Sequence, residues 1–483
     1  MATTASDGSD VEVAAKLHDA DNEWEQHPSN PLNWPAWKKA LQICYISSMA
    51  FTSSVATSIM SPARAQLMDE FDVDSTTALV PLVMYVFALA TGPVVAGPAS
   101  ETFGRRPIYL YGMPLGALFT LGAGLTHNFP ALCFLRFMAG FCWAPLLSVM
   151  AATIQETFRL QSRGPASAVA ILWPFLGPAF GPVIGSFIVH RKGWRWTQYC
   201  LIFFAVFCIV QSPFNGETFA PILRRRLAKK RGEKVPPQDP LLARLAAFAQ
   251  VGLTRPLHML FTEPIVTFLS LYVAVNFGIL FSFFAGVPYT FQLVYRFSLE
   301  QSGLIFLSIA VGCVIGLVTI ILCDVAIYRK KAVKLPEHRL YPAIISCVGL
   351  PVGLFWYAWT ARPAISWASP AVAMIPFAWG NLCVFVSAIQ YTADTYHGSV
   401  VASAVSANNF ARYAFAGAFP LFTIQMYSAL GVDWATSLLA FVSLALLPIP
   451  WILFKYGPTI RAKSRYNGGE YAKPAGRVQQ SDA

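Results

Sequence analysis

The sequence predicts an all-α integral membrane protein, with twelve transmembrane helices arranged in two six-helix bundles. Composition is the first observation, because 55% of the 483 residues are apolar and only 12% are charged, against about 25% charged in soluble domains. Twelve apolar stretches are the second, since each is close to the ~20 residues that a helix needs to cross ~30 Å of hydrocarbon. The third is a polar stretch that separates them into two groups of six.

Each apolar stretch is predicted as one membrane-spanning helix, because a window of about 19 residues stays apolar across it. The connections within each group of six are short, and the long polar stretch follows the sixth helix. The predicted spans cover residues 40–60, 76–97, 107–126, 130–152, 165–189, 197–213, 265–290, 302–323, 340–360, 369–393, 402–427 and 434–455.

The polar segments complete the predicted domain organisation. The first 38 residues are rich in acidic side chains, so we expect a mobile cytoplasmic tail and not a cleaved signal. The central stretch carries two basic clusters, Arg224-Arg225-Arg226 and Lys229-Lys230-Arg231. The predicted parts are an N-terminal tail at 1–38, an N-terminal bundle at 39–213, a central loop at 214–264, a C-terminal bundle at 265–455 and a C-terminal tail at 456–483.

Lysine and arginine residues predict the orientation, because positive residues near span ends are retained on the cytoplasmic side. With both termini in the cytoplasm, six of the 35 basic residues lie outside, two lie within spans and the other 27 face the cytoplasm. The net charge of +11 then reflects topology, and no nucleic-acid partner is expected. The cell membrane is the expected location, with the vacuolar membrane left open.

The hairpin between the second and third spans concentrates charge. It reads Gly97-Pro-Ala-Ser-Glu101-Thr-Phe-Gly104-Arg105-Arg106, with one acid and two bases beside glycines. The fifth span contains a second unusual pattern, Gly177-Pro178-Ala-Phe-Gly181-Pro182-Val-Ile-Gly185, with glycines every four residues on one face. Small residues at that spacing allow close helix approach, and the prolines bend the helix. We interpret this face as a conformational hinge.

Two arginines lie inside predicted spans. Arg136 is in the fourth span and Arg412 is near the middle of the eleventh. A charge at the bilayer centre costs at least ~2.5 kcal/mol on insertion scales, so each should face a cavity or a polar partner. Either they act in coupling and cavity lining, or they tether helices through backbone carbonyls.

Together these patterns resemble the signature motifs of the twelve-span drug:proton antiporter family of the major facilitator superfamily, and they look most like its fungal members. The resemblance covers nearly all of residues 30–455 and implies the major facilitator fold with transport by alternating access. The matching segments are Gly97–Arg106, Arg136 with Gly140, Glu156–Gly164, Gly177–Gly185, Asn30–Trp34, Trp194–Trp196, Glu217–Pro221, Pro336–Leu340 and Tyr391–Tyr396.

Proton coupling is implied by this resemblance, yet no span has an aspartate or glutamate in its central half. Carboxylates usually bind the coupling proton. Glu156, Glu263, Asp324 and Asp394 lie instead at cytoplasmic helix ends, where they either carry the proton or form salt bridges that close the inward gate. Glu101 stands where many superfamily members have aspartate, and it keeps the carboxylate.

Alternating access implies two bundles that rock about a site near the midplane. Charged residues around the hairpin are expected to hold the outward-facing state, with a weaker counterpart after the eighth span. The fifth span is expected to supply the hinge surface between the bundles, and Arg136 the coupling residue. The predicted gating residues are Gly97, Glu101, Gly104, Arg105, Arg106, Glu156, Gly177, Pro178, Gly181, Pro182, Gly185, Asp324 and Arg329.

The candidate substrate residues combine aromatic rings with amides, which suits a bulky and partly apolar molecule. The two arginines would tolerate an anionic one. Each aromatic could instead pack inside a bundle or face lipid. The predicted substrate-binding residues are Trp143, Tyr272, Asn276, Phe277, Trp379, Asn381, Gln390, Asn408 and Arg412.

The predicted function is export of small hydrophobic neutral or anionic compounds, such as drugs and secreted metabolites, in exchange for protons. An importer of a sugar or organic acid is one alternative, which the direction of flux distinguishes. A polyamine exporter is another, although a polycation favours acids in the cavity. A multi-pass membrane enzyme is a distant third, since no catalytic motif is present. The expected partners are a small-molecule substrate, protons and the bilayer, for a monomer without cofactor or metal.

Overall fold

In the computed structural model every predicted span of the first group is helical. Helix α1 is Ala36–Val55, α2 is Val80–Phe103, α3 is Arg105–Leu125, α4 is Phe129–Thr157, α5 is Leu160–Lys192 and α6 is Arg195–Val210. The structure describes residues 23–232, 254–333, 335–396, 399–464 and 466.

The second group follows the same pattern with more interruptions. Helix α7 is Pro264–Tyr295, α8 is Leu307–Cys323, α9 is Gly349–Thr360, α10 is Ala368–Thr395, α11 is Ser399–Leu446 and α12 is Ile449–Ala462. One-turn helices, Leu299–Leu304 and Tyr341–Ser346, precede α8 and α9. Gly431, at φ 77°, divides α11 into two arms that match the last two predicted spans.

Nine helical segments in the described ranges are long and apolar enough to cross a membrane, and the last of them, Val400–Ala462, includes two predicted spans. The chain is therefore a multi-pass membrane protein, and the predicted all-α fold class is confirmed.

The helices pack closely within each bundle, and the buried apolar side chains of the two bundles form one continuous cluster. In the first bundle α4 packs against α2 and α3, α1 packs against α5, and α3 packs against α6. In the second bundle α7 packs against α11, and α10 packs against α8 and α9. The bundles meet along two seams, α2 with α11 and α5 with α8. This arrangement leaves a space between them near the centre.

The two ends of the molecule differ in how the bundles meet. We call the end at which α1 begins and α12 ends the inner face, and the opposite end the outer face. At the outer face Arg191 pairs with Glu300 at 3.1 Å, and the amide of Gln425 donates to the Thr76 hydroxyl. Gly303 lies so close to α5 that an added Cβ would meet the Ser186 hydroxyl. The outer face is thus closed by contacts between the bundles.

Parts of the predicted N-terminal tail and of the predicted central loop pack against the first bundle. Residues 1–22 of the expected tail lie outside the described ranges, whereas the segment from residue 23 packs on the first bundle and buries Trp24 and Trp34. The start of the predicted central loop also packs there, because Gln42 of α1 donates to Asn215 at 2.7 Å. Helix Ala220–Lys230 then carries the basic clusters. The domain boundaries themselves stay a prediction.

Candidate functional site

A central cavity of ≈ 120 Å³ lies between the two bundles. The lining residues of α4 and of the first arm of α11 lie in the inner halves of these helices, whereas Ser54 and Thr57 lie at or just after the outer end of α1. The cavity therefore lies near the middle of the bundles and extends toward the inner face. Both bundles contribute, and apolar side chains dominate the surface. These include Leu89, Leu147, Met150, Ile171, Phe175, Phe277, Phe281, Phe385 and Ile389, with Ser54, Thr57, Ser148 and Asn409 as polar members.

Arg412 is the one charged side chain among these described lining residues. Its guanidinium carbon lies 4.6 Å from the ring centres of Phe277 and Phe385 and 4.3 Å from that of Tyr413. One terminal nitrogen donates to Asn409 at 2.9 Å, while Nε has no hydrogen-bond partner within the described ranges. The residue is 8% exposed. The described residues therefore hold this cation with rings and an amide, and without a carboxylate.

Rings from both bundles meet beside this arginine. Phe175 of α5 contacts Phe277 of α7 with ring centres 5.4 Å apart, and Phe385 of α10 at 5.0 Å. Edge and tilted contacts of this kind favour aromatic ligands as well as aromatic side chains. The cavity can thus accept a planar apolar molecule next to a positive charge.

Arg136 is fully buried in the first bundle and does not line the cavity. It donates to the carbonyl of Ala56 and, at 3.4 Å, to Gln198 of α6. Its guanidinium also lies 4.5 Å from the Tyr85 ring of α2. These contacts connect α4 with the end of α1 and with two other helices of the same bundle. These contacts agree with the interpretation that Arg136 tethers helices. Its role in coupling remains a prediction.

Three of the predicted aromatic residues lie inside the bundles and not on the cavity surface. The Trp143 indole donates to the carbonyl of Met113 at 3.2 Å, and the Trp379 indole donates to Thr319 at 3.0 Å. Tyr272 is buried, and its hydroxyl has no hydrogen-bond partner among the residues that the structure describes. Of the predicted aromatics, the cavity surface includes Phe277.

The predicted amides are likewise distributed away from the central cavity. Asn276 accepts from Ser443 at 3.2 Å, and Asn381 donates to the Asn276 carbonyl at 3.4 Å, so both connect helices of the second bundle. Asn408 donates to a serine of α7 at 3.5 Å. Gln390 lines a separate small cleft near the inner face. Asn409 is an amide residue that does line the cavity, and it was not among the predicted substrate-binding residues.

A cluster of charged residues joins α2, α3 and α4 at the inner face. Arg105 pairs with Glu156 at 2.9 Å. The expected role of these residues in holding the outward-facing state stays a prediction. Glu217 accepts hydrogen bonds from the backbone amides of Arg105 at 2.9 Å and Arg106 at 3.2 Å. Gly104 has φ 100°, and an added Cβ would lie 2.3 Å from Glu217. We call these five residues the inner charge cluster.

Glu217 was not among the predicted site residues, although Glu217–Pro221 is one of the segments that resemble the transporter family. Its neighbours reinforce the cluster, because Thr218 donates to Glu156 at 2.8 Å and the Phe219 ring lies 4.8 Å from the Arg105 guanidinium. Glu101 is exposed and has no ion-pair partner in the described part of the chain. Gly97 lies within α2, among residues whose surroundings the structure does not describe.

The second bundle has a counterpart at the same face. Asp324 pairs with Arg329 at 2.9 Å, and also with Arg339 at 3.4 Å. Arg339 pairs in turn with Asp394 at 2.8 Å. The predicted pair is therefore one part of a longer chain of charges in which Arg339, missed by the prediction, is the central member.

Glu263 precedes α7 and differs from the other inner-face acids. It is 3% exposed and accepts hydrogen bonds from the hydroxyls of Tyr396 at 3.2 Å and Ser464 at 2.8 Å. Within the described ranges no basic side chain lies at ion-pair distance. The described partners of this buried carboxyl are thus hydroxyl groups, whereas those of the other inner-face acids include arginines.

The glycines of α5 face their own bundle. A Cβ added at Gly177, Gly181 or Gly185 would lie 2.0 to 2.5 Å from atoms at the end of α1 and the turn after it. The sequence interpretation expected this face between the bundles, and the structure differs because the end of α1 fills the groove. Pro178 lines the cavity, and the carbonyl of Pro182 faces Gly303 of the second bundle.

Comparison with known proteins agrees with this architecture. A model of the Major Facilitator Superfamily matches residues 46–420. Polyamine transporter 4 of Saccharomyces cerevisiae is 32% identical over 97% of this chain and 77% of its own. A citrinin biosynthesis cluster transporter of Monascus ruber is 36% identical over 92% of both chains, and an efflux pump of Fusarium oxysporum is 35% identical over 92% of this chain and 76% of its own. This chain thus belongs to the major facilitator superfamily and is a membrane transporter, not an enzyme.

Proposed function

We propose that this protein exports small hydrophobic neutral or anionic metabolites and drugs by alternating access, in exchange for protons. The observation that carries the proposal is the cavity between the bundles, which is apolar, lined by both bundles and extended toward the inner face. Ligand sites of this type bind apolar molecules and orient them with few polar groups. Relatives named as an efflux pump and as a biosynthesis cluster transporter support export of such compounds.

The contacts at the two faces support an inward-facing state. The bundles touch at the outer face through Arg191 with Glu300 and through Gln425 with Thr76. The ion pairs of the inner charge cluster lie within one bundle. Export then requires the outer contacts to break while the inner ends approach each other.

We assign the inner face to the cytoplasm and the protein to the cell membrane. The basic helix Ala220–Lys230 and the pair of Arg231 with Glu23 lie at this face. Retention of positive residues in the cytoplasm supports this orientation. Both termini are then cytoplasmic.

Proton exchange is the part of the proposal that needs a proton-binding group, and Glu263 is its best candidate. It is buried, and its described partners are hydroxyls. Its position before α7, where α10 and α12 also end, would let a change in protonation alter how the helix ends pack. Glu156 and Asp324 differ from Glu263 in that each of them pairs with an arginine.

Polyamine export is a second candidate because one relative bears that name. A polycation needs carboxylates to replace its hydration, whereas the described cavity lining contains Arg412 and no aspartate or glutamate. The cavity therefore favours neutral and anionic molecules over polyamines.

The function is tested by the accumulation of labelled hydrophobic drugs and metabolites in cells with and without the protein. We expect lower accumulation with the protein, returning to control levels when the proton gradient is collapsed. Higher accumulation would make the protein an importer. If accumulation stays low after the proton gradient is collapsed, the protein is an exporter that does not depend on proton exchange.

A further inference from the structure

We propose that Arg412 forms an anion subsite and that the preferred substrates are aromatic monocarboxylates. This inference rests on the proposed export function and specifies the substrate of the same cavity. The carboxylate would bind the guanidinium while the aromatic part of the molecule lies against the apolar lining.

Electrostatics supplies the first argument. A buried guanidinium is costly unless an opposite charge compensates it, and removal of one partner from a buried ion pair typically costs several kcal/mol. Arg412 is 8% exposed and lines the cavity, and its Nε atom has no hydrogen-bond partner among the described residues. A ligand carboxylate in the cavity would supply the missing charge.

Shape supplies the second argument. Phe277, Phe385 and Tyr413 lie 4.3 to 4.6 Å from the guanidinium carbon, so ring contacts limit its rotation. Such preorganisation favours two parallel N–H···O bonds to one carboxylate, the geometry that arginine forms and lysine does not. A single planar anionic group therefore fits better than a diffuse negative charge.

The rest of the cavity defines the remainder of the ligand. Leu147, Met150, Ile171 and Phe281 are apolar, and the described lining offers no second cation. A second carboxylate on the ligand would be buried without a partner, which is unfavourable. The subsite thus selects monocarboxylates with an apolar aromatic body over di- and tricarboxylates.

The test compares acids with their neutral isosteres in the purified full-length protein. Binding is measured in nanodiscs for aromatic carboxylic acids of one to three rings, each with its primary amide. We expect the wild-type protein to bind at least one acid about tenfold or more tightly than its amide, as a charge-assisted hydrogen bond predicts. Arg412→Gln should remove this preference, so that each acid binds no more tightly than its amide.

Two further variants make the result specific. Arg412→Lys keeps the positive charge but lacks the planar guanidinium that forms two parallel hydrogen bonds to a carboxylate. This variant should retain only part of the preference for acids. Arg362→Gln removes an arginine at the outer face, where it pairs with Asp433 at 3.7 Å, and should leave the preference unchanged. Thermal unfolding of each variant shows that it is folded before binding is compared.

The outcomes separate this inference from the proposed function. If no acid outbinds its amide in the wild-type protein, or if the preference survives Arg412→Gln, the anion subsite is wrong even where cellular export is intact. If cells with the protein export none of the tested compounds, the proposed function fails, and a preference for acids in nanodiscs would still support the subsite.

Discussion

Glu217 is the residue that organises the inner charge cluster. Its carboxylate accepts from the first two backbone amides of α3, where the helix dipole is positive and the amides have no partner within the helix. Gly104 makes this approach possible, because its φ of 100° and missing Cβ leave room for the carboxylate. The turn between α2 and α3 is therefore specified by an acid that is more than a hundred residues away in the sequence.

We predict that Glu217→Gln lowers the stability of the protein by about 1–2 kcal/mol, because a neutral amide interacts less strongly with a helix N-terminus. Thermal unfolding of the purified protein measures this change, and initial rates of export measure its effect on transport. Glu101→Gln is the matched control, since Glu101 belongs to the same hairpin but is exposed. Equal melting temperatures for wild type and Glu217→Gln would contradict the prediction.

The sequence could identify unusual residues better than it could identify their neighbours. Arg412 was predicted to bind substrate because a charge inside a membrane span is costly unless it faces a cavity or a polar partner. In the structure it lines the cavity. Trp143 and Asn276 were predicted by the same argument about polar or aromatic groups, but they connect helices within a bundle. In an apolar helix the sequence does not reveal which face meets the cavity, so such residues could not be sorted.

At the scale of elements, the positions of the helices were more predictable than their partners. Apolar length alone located the spans, because a helix must be long enough to cross the bilayer. The glycine face of α5 could also be recognised from the sequence, but the helix that packs against it could not. Small residues at every fourth position allow close approach of another helix without specifying which helix it is. The structure gives α1 as that partner.

We predict that Gly181→Ala impairs export and reduces the amount of folded protein, because the new Cβ would lie 2.0 Å from the Ser58 hydroxyl. Adding Ser58→Ala removes that oxygen and should restore part of both. Gly122→Ala is the control, since its Cβ would meet the flexible Leu135 side chain at 3.3 Å. Fluorescence-detected size exclusion and export rates are the measurements. No recovery in the double variant would mean that the hydroxyl is not the obstacle.

At the scale of the whole molecule, the arrangement of contacts indicates which movement transport requires. The outer face is closed by contacts between bundles, whereas the inner-face ion pairs described above hold helices of one bundle together. Each bundle can therefore rotate as a unit with its own charge network intact. Opening of the outer face requires the contacts at that end to break and the two seams between the bundles to rearrange.

We predict that a cross-link across the outer face stops transport. A double variant, Thr76→Cys with Gln425→Cys, can be joined by a short cross-linker that forms a reducible disulfide with each thiol. The cross-link would hold the bundles together where the native side chains are hydrogen-bonded. Cys44, the exposed native cysteine, is replaced beforehand. Export should fall to background and return after reduction, while each single-cysteine variant remains active. Full export by the cross-linked protein would exclude outward opening at this seam.

The packing of the N-terminal segment has a consequence for the order in which the protein is assembled. Glu23 pairs with Arg231, Trp34 lies against Gly216, and Glu217 caps α3, so these contacts use residues that precede α7. The ribosome has therefore synthesised every partner in this set before the second bundle begins to emerge. The first half of the transporter can thus form these contacts at its inner face before the second half has been synthesised.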